Sequence, residues 1–258
     1  MATKYPIVLV HGIALKDWRF FRAFGRTERL LSGAGYAVST ADTDSFGRIE
    51  TNAEQLCDYV NGVLSKTGAE KVNIIAHSKG GLDTLYMIDK LGMADRVASV
   101  TFLCTPHRGS RIATMLYGLP RPVRGFLAFW INFWYKLFGD KHPDALTVCH
   151  QLSSAPDGVL EFSTVGGIYM QSYSTKLDRS RDDFVMGIPL VFSKRLERSD
   201  SDGLVSVDSA KFGEYRGHCI DASISHTEIV DFMVRKSKKE KIYAFYLALA
   251  SDLAKRGY

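Results

Sequence analysis

The sequence predicts an α/β fold in which a mostly parallel central sheet carries helices on both faces. Three observations lead there. Short apolar, β-branched runs alternate with stretches of helical periodicity along the early part of the chain. Those runs read as buried strands, which a sheet covered on both sides requires. The length, 258 residues with 46% hydrophobic and 24% charged, suits a single large core.

The strands are expected at 7–10, 37–40, 72–75 and 97–103, then at 161–165, 190–192 and 218–222. Helical patterns fill 20–32, 51–66 and 80–91. In 51–66 the apolar positions Ala53, Leu56, Val60, Val63 and Leu64 recur at helical spacing. A last helix over 242–254 places Ile242, Phe245, Leu249 and Leu253 on one face. The whole chain, 1–258, reads as one domain. Residues 115–158 interrupt its rhythm as an insertion. Within that insertion Phe126, Phe129, Trp130, Phe133, Trp134 and Leu137 share a helical face. Arg121, Arg124 and Lys136 break the stretch, and it is too short to cross a bilayer.

Composition excludes several functions. A net charge of +5 is too small to argue for nucleic acid. Part of it comes from the run 235–241, RKSKKEK, which reads as the solvated start of a helix. The four cysteines, Cys57, Cys104, Cys149 and Cys219, contain no C-x-x-C pair, so neither a zinc site nor a dithiol is expected. Cys104 ends an apolar run and reads as a small buried hydrophobe. Cys149 and Cys219 are the one pair to consider as a disulfide. No basic-then-apolar leader precedes the first strand, so the chain as given is expected to be cytoplasmic or a mature secreted form.

The chemistry begins at Val72-Asn-Ile-Ile-Ala-His-Ser-Lys-Gly-Gly81, where a buried strand runs into Ala76-His-Ser-Lys-Gly80 and a helical pattern follows. A small residue, any residue, Ser, any residue and Gly at a strand-to-helix turn is the setting of a nucleophile elbow. The flanking positions stay small because the serine backbone is strained and neighbouring elements come close. The helix N-terminus then aims backbone N–H groups at a developing oxyanion. The plain alternative is a serine in an ordinary tight turn. Strand 7–10 ends in His11-Gly12-Ile13, a loop able to supply a second donor. The two oxyanion donors expected in such a fold would be the N–H groups of Lys79 and Ile13.

A serine nucleophile needs a base, and the base an acid, in the chain order Ser, acid, His. Of the seven histidines, His218 and His226 follow at the right end of the chain. His226 stands on a loop before a helical pattern, as a base should, whereas His218 falls in or before the last strand. Ser199-Asp-Ser-Asp-Gly-Leu-Val205 offers Asp200 and Asp202, and the Asp202-Gly203 turn can present its carboxylate from a loop.

Tyr5-Pro-Ile-Val-Leu-Val-His-Gly12, the Ser78 motif, Thr105-Pro-His-Arg-Gly-Ser110, Asp202-Gly-Leu-Val205 and Ser225-His-Thr-Glu228 together resemble, in order and separation, the bacterial triacylglycerol lipases, family I of the true lipases within the α/β-hydrolase superfamily. The resemblance covers roughly 4–115 and 160–232. It implies an α/β-hydrolase fold, the triad Ser78, Asp202 and His226, oxyanion donors at Ile13 and Lys79, and, for the insertion 115–158, a mobile lid or cap carrying Phe126, Phe129, Trp130, Phe133 and Trp134. It also implies an ester or lipid substrate, a lipid–water interface, no required cofactor, and a structural calcium held by Asp182 or Asp183 with Glu228. Ala76 departs from the family's glycine, and the family's disulfide has no counterpart. Other uses of the same fold are an acyltransferase, a polyester depolymerase or a non-catalytic binding module. The presence of all three triad residues argues against the last.

Overall fold

The computed structural model describes residues 2–14, 17, 22–154, 158, 160–196 and 199–258. The strands are β1 (Ile7–Val10), β2 (Val38–Thr40), β3 (Val72–His77), β4 (Val97–Leu103), β5 (Tyr169–Ser174) and β6 (Glu214–His218). Among the described residues they form one six-stranded sheet, ordered β2-β1-β3-β4-β5-β6, with every neighbouring pair parallel. The helices are α1 (Thr27–Gly33), α2 (Ile49–Thr67), α3 (Lys79–Asp89), α4 (Arg111–Tyr117), α5 (Arg121–Leu137), α6 (Ala145–Gln151), α7 (Gly187–Leu196), α8 (Val207–Ala210) and α9 (Lys236–Lys255).

Side-chain alternation along β1 divides the core in two. Val8 and Val10 join Leu56, Val60, Ile74 and Leu85 on the face covered by α2 and α3. Ile7 and Leu9 join Leu31, Ile75, Tyr246 and Leu249 on the face covered by α1 and α9. The strand order reverses between β1 and β3, and such a switch point opens a crevice at the carboxyl ends of the strands. The loop after β1 carries Gly12, and the turn after β3 carries Ser78.

The first four expected strands are present, β3 extending two residues further than expected. The later ones are corrected. Residues 161–165 form no strand. The strand that fills the place beside β4 is β5, Tyr-Met-Gln-Ser-Tyr-Ser, which has no apolar run to mark it. Its buried polar groups are instead paired: Gln171 Nε2 donates to Thr101 Oγ1 at 2.9 Å, and Ser172 Oγ accepts from Phe212 N at 2.9 Å. Residues 190–192 are helical, within α7, where Leu190 packs on Leu177 and Met186. The expected strand 218–222 ends where it was to begin, because β6 covers Glu214–His218. Of the helix expected over 20–32, residues 20 and 21 lie outside the described residues, and the helical part starts at Thr27. The four cysteines are free thiols, Cys149 and Cys219 included.

His107, just beyond β4, is a buried imidazole stacked on Phe212 at 4.4 Å and edge-on to Phe102 at 4.9 Å, with no hydrogen-bond partner for either ring nitrogen. Burial lowers its pKa to about 3. A base held neutral in the folded state contributes stability that is complete above its unfolded value of 6.5 and is lost as pH falls towards 3. His107→Phe should therefore retain the stack and flatten the decline of unfolding free energy over this range, measured by urea melts at successive pH. A variant with the same acid slope as the wild type would contradict this.

Candidate functional site

Ser78 lies between β3 and α3 with φ 54° and ψ −131°, a left-handed conformation that a residue with a Cβ adopts only under constraint. Its N–H donates to Leu103 O on β4 at 2.9 Å. The surrounding glycines have a steric reason. A Cβ on Gly12 would lie 2.6 Å from Ser78 Cβ, and one on Gly80 would run into the carbonyls of Val10 and His11. The Ile13 loop thus presses directly onto the serine. Ala76, the departure from glycine, is fully buried in β3, opposite Phe102 and Val10.

The structure brings the three distant side chains together. Ser78 Oγ–H donates to His226 Nε2 at 2.8 Å, and His226 Nδ1–H donates to Asp202 Oδ2 at 2.7 Å. All three residues are buried. The Asp202 carboxylate is fixed from its other side, where Oδ1 accepts Leu204 N at 3.0 Å and Val205 N at 2.8 Å. That is the Asx-type turn anticipated for Asp-Gly. Asp200 instead accepts Val207 N through its carbonyl at 2.8 Å, and His218 Nδ1 pairs with Ser174 Oγ at 2.9 Å. Such an arrangement can withdraw a proton from the serine hydroxyl and stabilise the resulting imidazolium.

Two supports were not assigned from sequence. His77 Nε2–H donates to the carbonyl of His226 at 2.9 Å, which fixes the His77 tautomer and ties the histidine loop to the elbow. Burial lowers the His77 pKa well below its usual value, so the ring stays neutral. Lys79, the first residue of α3, is a wholly buried cation whose Nζ donates to Asp83 Oδ1 at 2.6 Å, one helical turn on. Asp83 Oδ2 accepts from Asn52 Nδ2 at 3.1 Å. Burial pushes the Asp83 carboxyl up to about 6, against the opposing pull of Lys79. The pair holds the first turn of α3, whose opening N–H groups have no acceptor inside the helix. The spacing Lys79-x-x-x-Asp83 was visible as an i, i+4 pair; its complete burial was not.

A cavity of about 190 Å³ opens above Ser78 and His226, with Ile13 also in its lining. Its walls are Ile112 and Leu116 of α4, Leu119 between α4 and α5, Leu127 and Ile131 of α5, and Val148 of α6, and among the described residues Arg124 is the one lysine or arginine that lines it. The aromatic stripe is elsewhere. Phe126, Phe129, Trp130, Phe133 and Trp134 are between 42% and 63% exposed, and none of them lines the cavity. The helix expected there is present, but its apolar residues surround it, with the inner face over the cavity and the aromatic face outward. Its far end is pinned by a reciprocal exchange. Asp44 accepts from Lys141 N and His142 N, and Asp140 accepts from Ser45 N and Phe46 N.

The carboxylates named for calcium each have another partner. Asp182 Oδ2 accepts from Ser223 Oγ at 2.8 Å and Asp183 Oδ2 from Ser225 Oγ at 2.6 Å. Lys238 Nζ sits on both oxygens of Glu228, at 2.9 and 2.7 Å. A divalent cation does not fit a carboxylate already capped by an ammonium. Among the described residues, the group of three side chains close enough to share a metal is Cys104, Asp202 and His226, two of which belong to the serine site itself.

A family model described as the alpha/beta hydrolase fold matches residues 5–119. The chain is 35% identical over 171 residues to a triacylglycerol lipase of Pseudarthrobacter phenanthrenivorans, covering 60% of this chain and 52% of that one. It is likewise 35% identical over 171 residues to a triacylglycerol lipase of Burkholderia plantarii, covering 60% of this chain and 46% of that one. The chain thus spans about half the length of these relatives. A metagenomic carboxyl esterase has a similar fold, with a TM-score of 0.74 at 17% identity over 97% of this chain and 76% of that one.

The Lys79–Asp83 pair yields a stability prediction. Asp83→Asn leaves a buried ammonium without its counter-charge and should cost about 3–5 kcal/mol in urea melts, most of it recovered in the Lys79→Met/Asp83→Asn double variant. Equal losses in the single and double variants would contradict the account.

Proposed function

We propose that the chain is a member of the α/β-hydrolase superfamily and a serine hydrolase of carboxylic esters, with acylglycerols as the substrate class. The observation that carries the reading is the continuous hydrogen-bonded line from Ser78 through His226 to Asp202 at the floor of an apolar cavity. The sequence similarity to triacylglycerol lipases supports it.

In this reading Ser78 Oγ attacks the ester carbonyl while His226 Nε2 takes its proton. Asp202 holds the tautomer and stabilises the imidazolium. The tetrahedral oxyanion is received by the N–H groups of Lys79 and Ile13. His226 then protonates the departing alcohol. Water, deprotonated by the same imidazole, attacks the acyl-enzyme and releases the acid and Ser78. No step calls on a cofactor.

The apolar cavity suits the acyl chain, and residues 115–158 act as its cap. Phe126, Phe129, Trp130, Phe133 and Trp134 face away from the acyl chain, which suits them to contact with a lipid–water interface. No helix among the described residues is long and apolar enough to cross a membrane.

Two experiments test the reading. Ser78→Ala should abolish p-nitrophenyl ester turnover, and Asp202→Asn should lower kcat by roughly 10⁴-fold with the fold intact; an unchanged rate in Ser78→Ala would refute the assignment. In a substrate series from acetate to palmitate, kcat/KM should rise from the shortest chains as methylenes enter the cavity. The greatest rate on acetate would contradict the acyl-pocket role.

A further inference from the structure

The loop that carries His226 meets the C-terminal helix through several side chains: Tyr246 OH donates to Ile229 O at 3.0 Å, Tyr243 OH donates to Asp231 Oδ2 at 3.0 Å, and Lys238 pairs with Glu228, the contact nearest the histidine in sequence. Glu228 is only 2% exposed, and a second buried carboxylate, Asp183, lies against the same turn. Both act on Ser225, the residue before His226. Ser225 N donates to Glu228 Oε2 at 3.1 Å, and Ser225 Oγ donates to Asp183 Oδ2 at 2.6 Å. Glu228 N returns a bond to Ser225 Oγ at 3.2 Å. Two desolvated carboxylates on one turn require a compensating positive charge. Lys238, in the first turns of α9, provides it. Its ammonium binds both Glu228 oxygens, and its side chain is 15% exposed, whereas Lys236 and Lys241 of the same basic run face solvent.

We infer that Lys238 is a positioning residue for the proposed base: its ammonium occupies the place at Glu228 where a divalent cation would bind, so the histidine loop is held in register without metal. The inference rests on the catalytic reading of His226. The backbone of His226 itself is tied by its N–H to Asp202 O at 3.1 Å and by its carbonyl to His77. The turn that follows depends on Glu228 remaining inside. With Lys238 removed, Glu228 is left buried without its counter-charge and must either shift within the turn or swing out to water. Either change loosens its grip on Ser225 and moves His226 relative to Ser78, and displacements near 1 Å at a reacting group cost on the order of 10²-fold in rate.

The test compares wild type, Lys238→Met and Lys238→Arg in p-nitrophenyl ester kinetics, each after dialysis against a chelator and again with added calcium, alongside melting temperatures. The expected result is a wild-type kcat unmoved by chelator or calcium. Lys238→Met should show kcat lower by about ten- to a hundredfold at nearly constant KM, and Lys238→Arg should restore most of it. If Lys238→Met does not fold, Glu228→Gln removes the same charge contact at constant volume and should show the same kcat loss. Wild-type activity that falls with chelator and returns with calcium would overturn the inference, as would a Lys238→Met variant with wild-type kcat. A wild-type chain that hydrolyses no ester would count against the hydrolase reading instead. The melting temperature then decides the inference alone: calcium should leave it unchanged, and a rise would overturn the inference.

Discussion

The hydrogen bond between Ser78 Oγ and His226 Nε2 closes a loop of 148 residues, and the arrangement of the site depends on it. It is short only because several independent constraints agree. The sheet fixes the elbow through Ser78 N and Leu103 O, the absence of a side chain at Gly12 lets the neighbouring loop lie against the serine, and the histidine loop is held from three sides by His77, Asp202 and Glu228. The positive φ at Ser78 is the local cost of aiming the hydroxyl outward from the sheet edge.

The electrostatics around this bond have a consistent plan. Several charged side chains near the site have their partners already in place: Lys79 with Asp83, the half-buried Lys238 with Glu228, and Asp202 with two backbone N–H groups and an imidazole. Fixed dipoles and pairs of this kind do not reorganise during a reaction, which is the property that electrostatic preorganisation needs. The cavity above them is almost wholly apolar, so a carbonyl placed there meets few polar groups besides those of the site itself.

Much of this was legible in the sequence, for identifiable reasons. The elbow and its strand were plain because β3 is mostly apolar, with Val72, Ile74, Ile75 and Ala76, and because Gly80 and Gly81 stand just after the serine, where an added Cβ would run into Val10, His11 and Thr105. The Asp202-Gly203 turn was plain because the turn chemistry is local. What failed was non-local. Strand β5 hides its burial behind Gln171, Ser172 and Ser174, whose pairing partners lie on other elements. Residues 190–192 look like a strand by composition but are helical, with Leu190 packed on Leu177 and Met186 while Val191 and Phe192 are exposed. The direction in which the aromatic face of α5 points could not be read from its periodicity, because the helix is apolar on both sides. Lys238 was one charge in a basic run until its partner, ten residues upstream, was seen to be buried.

The most direct measurement is to label the protein with a fluorophosphonate and map the adduct by peptide mass spectrometry. The account predicts one phosphonylated residue, Ser78, with labelling slowed by orders of magnitude when His226 is replaced by Ala. Labelling at another serine, or labelling of Ser78 that is indifferent to His226, would contradict it.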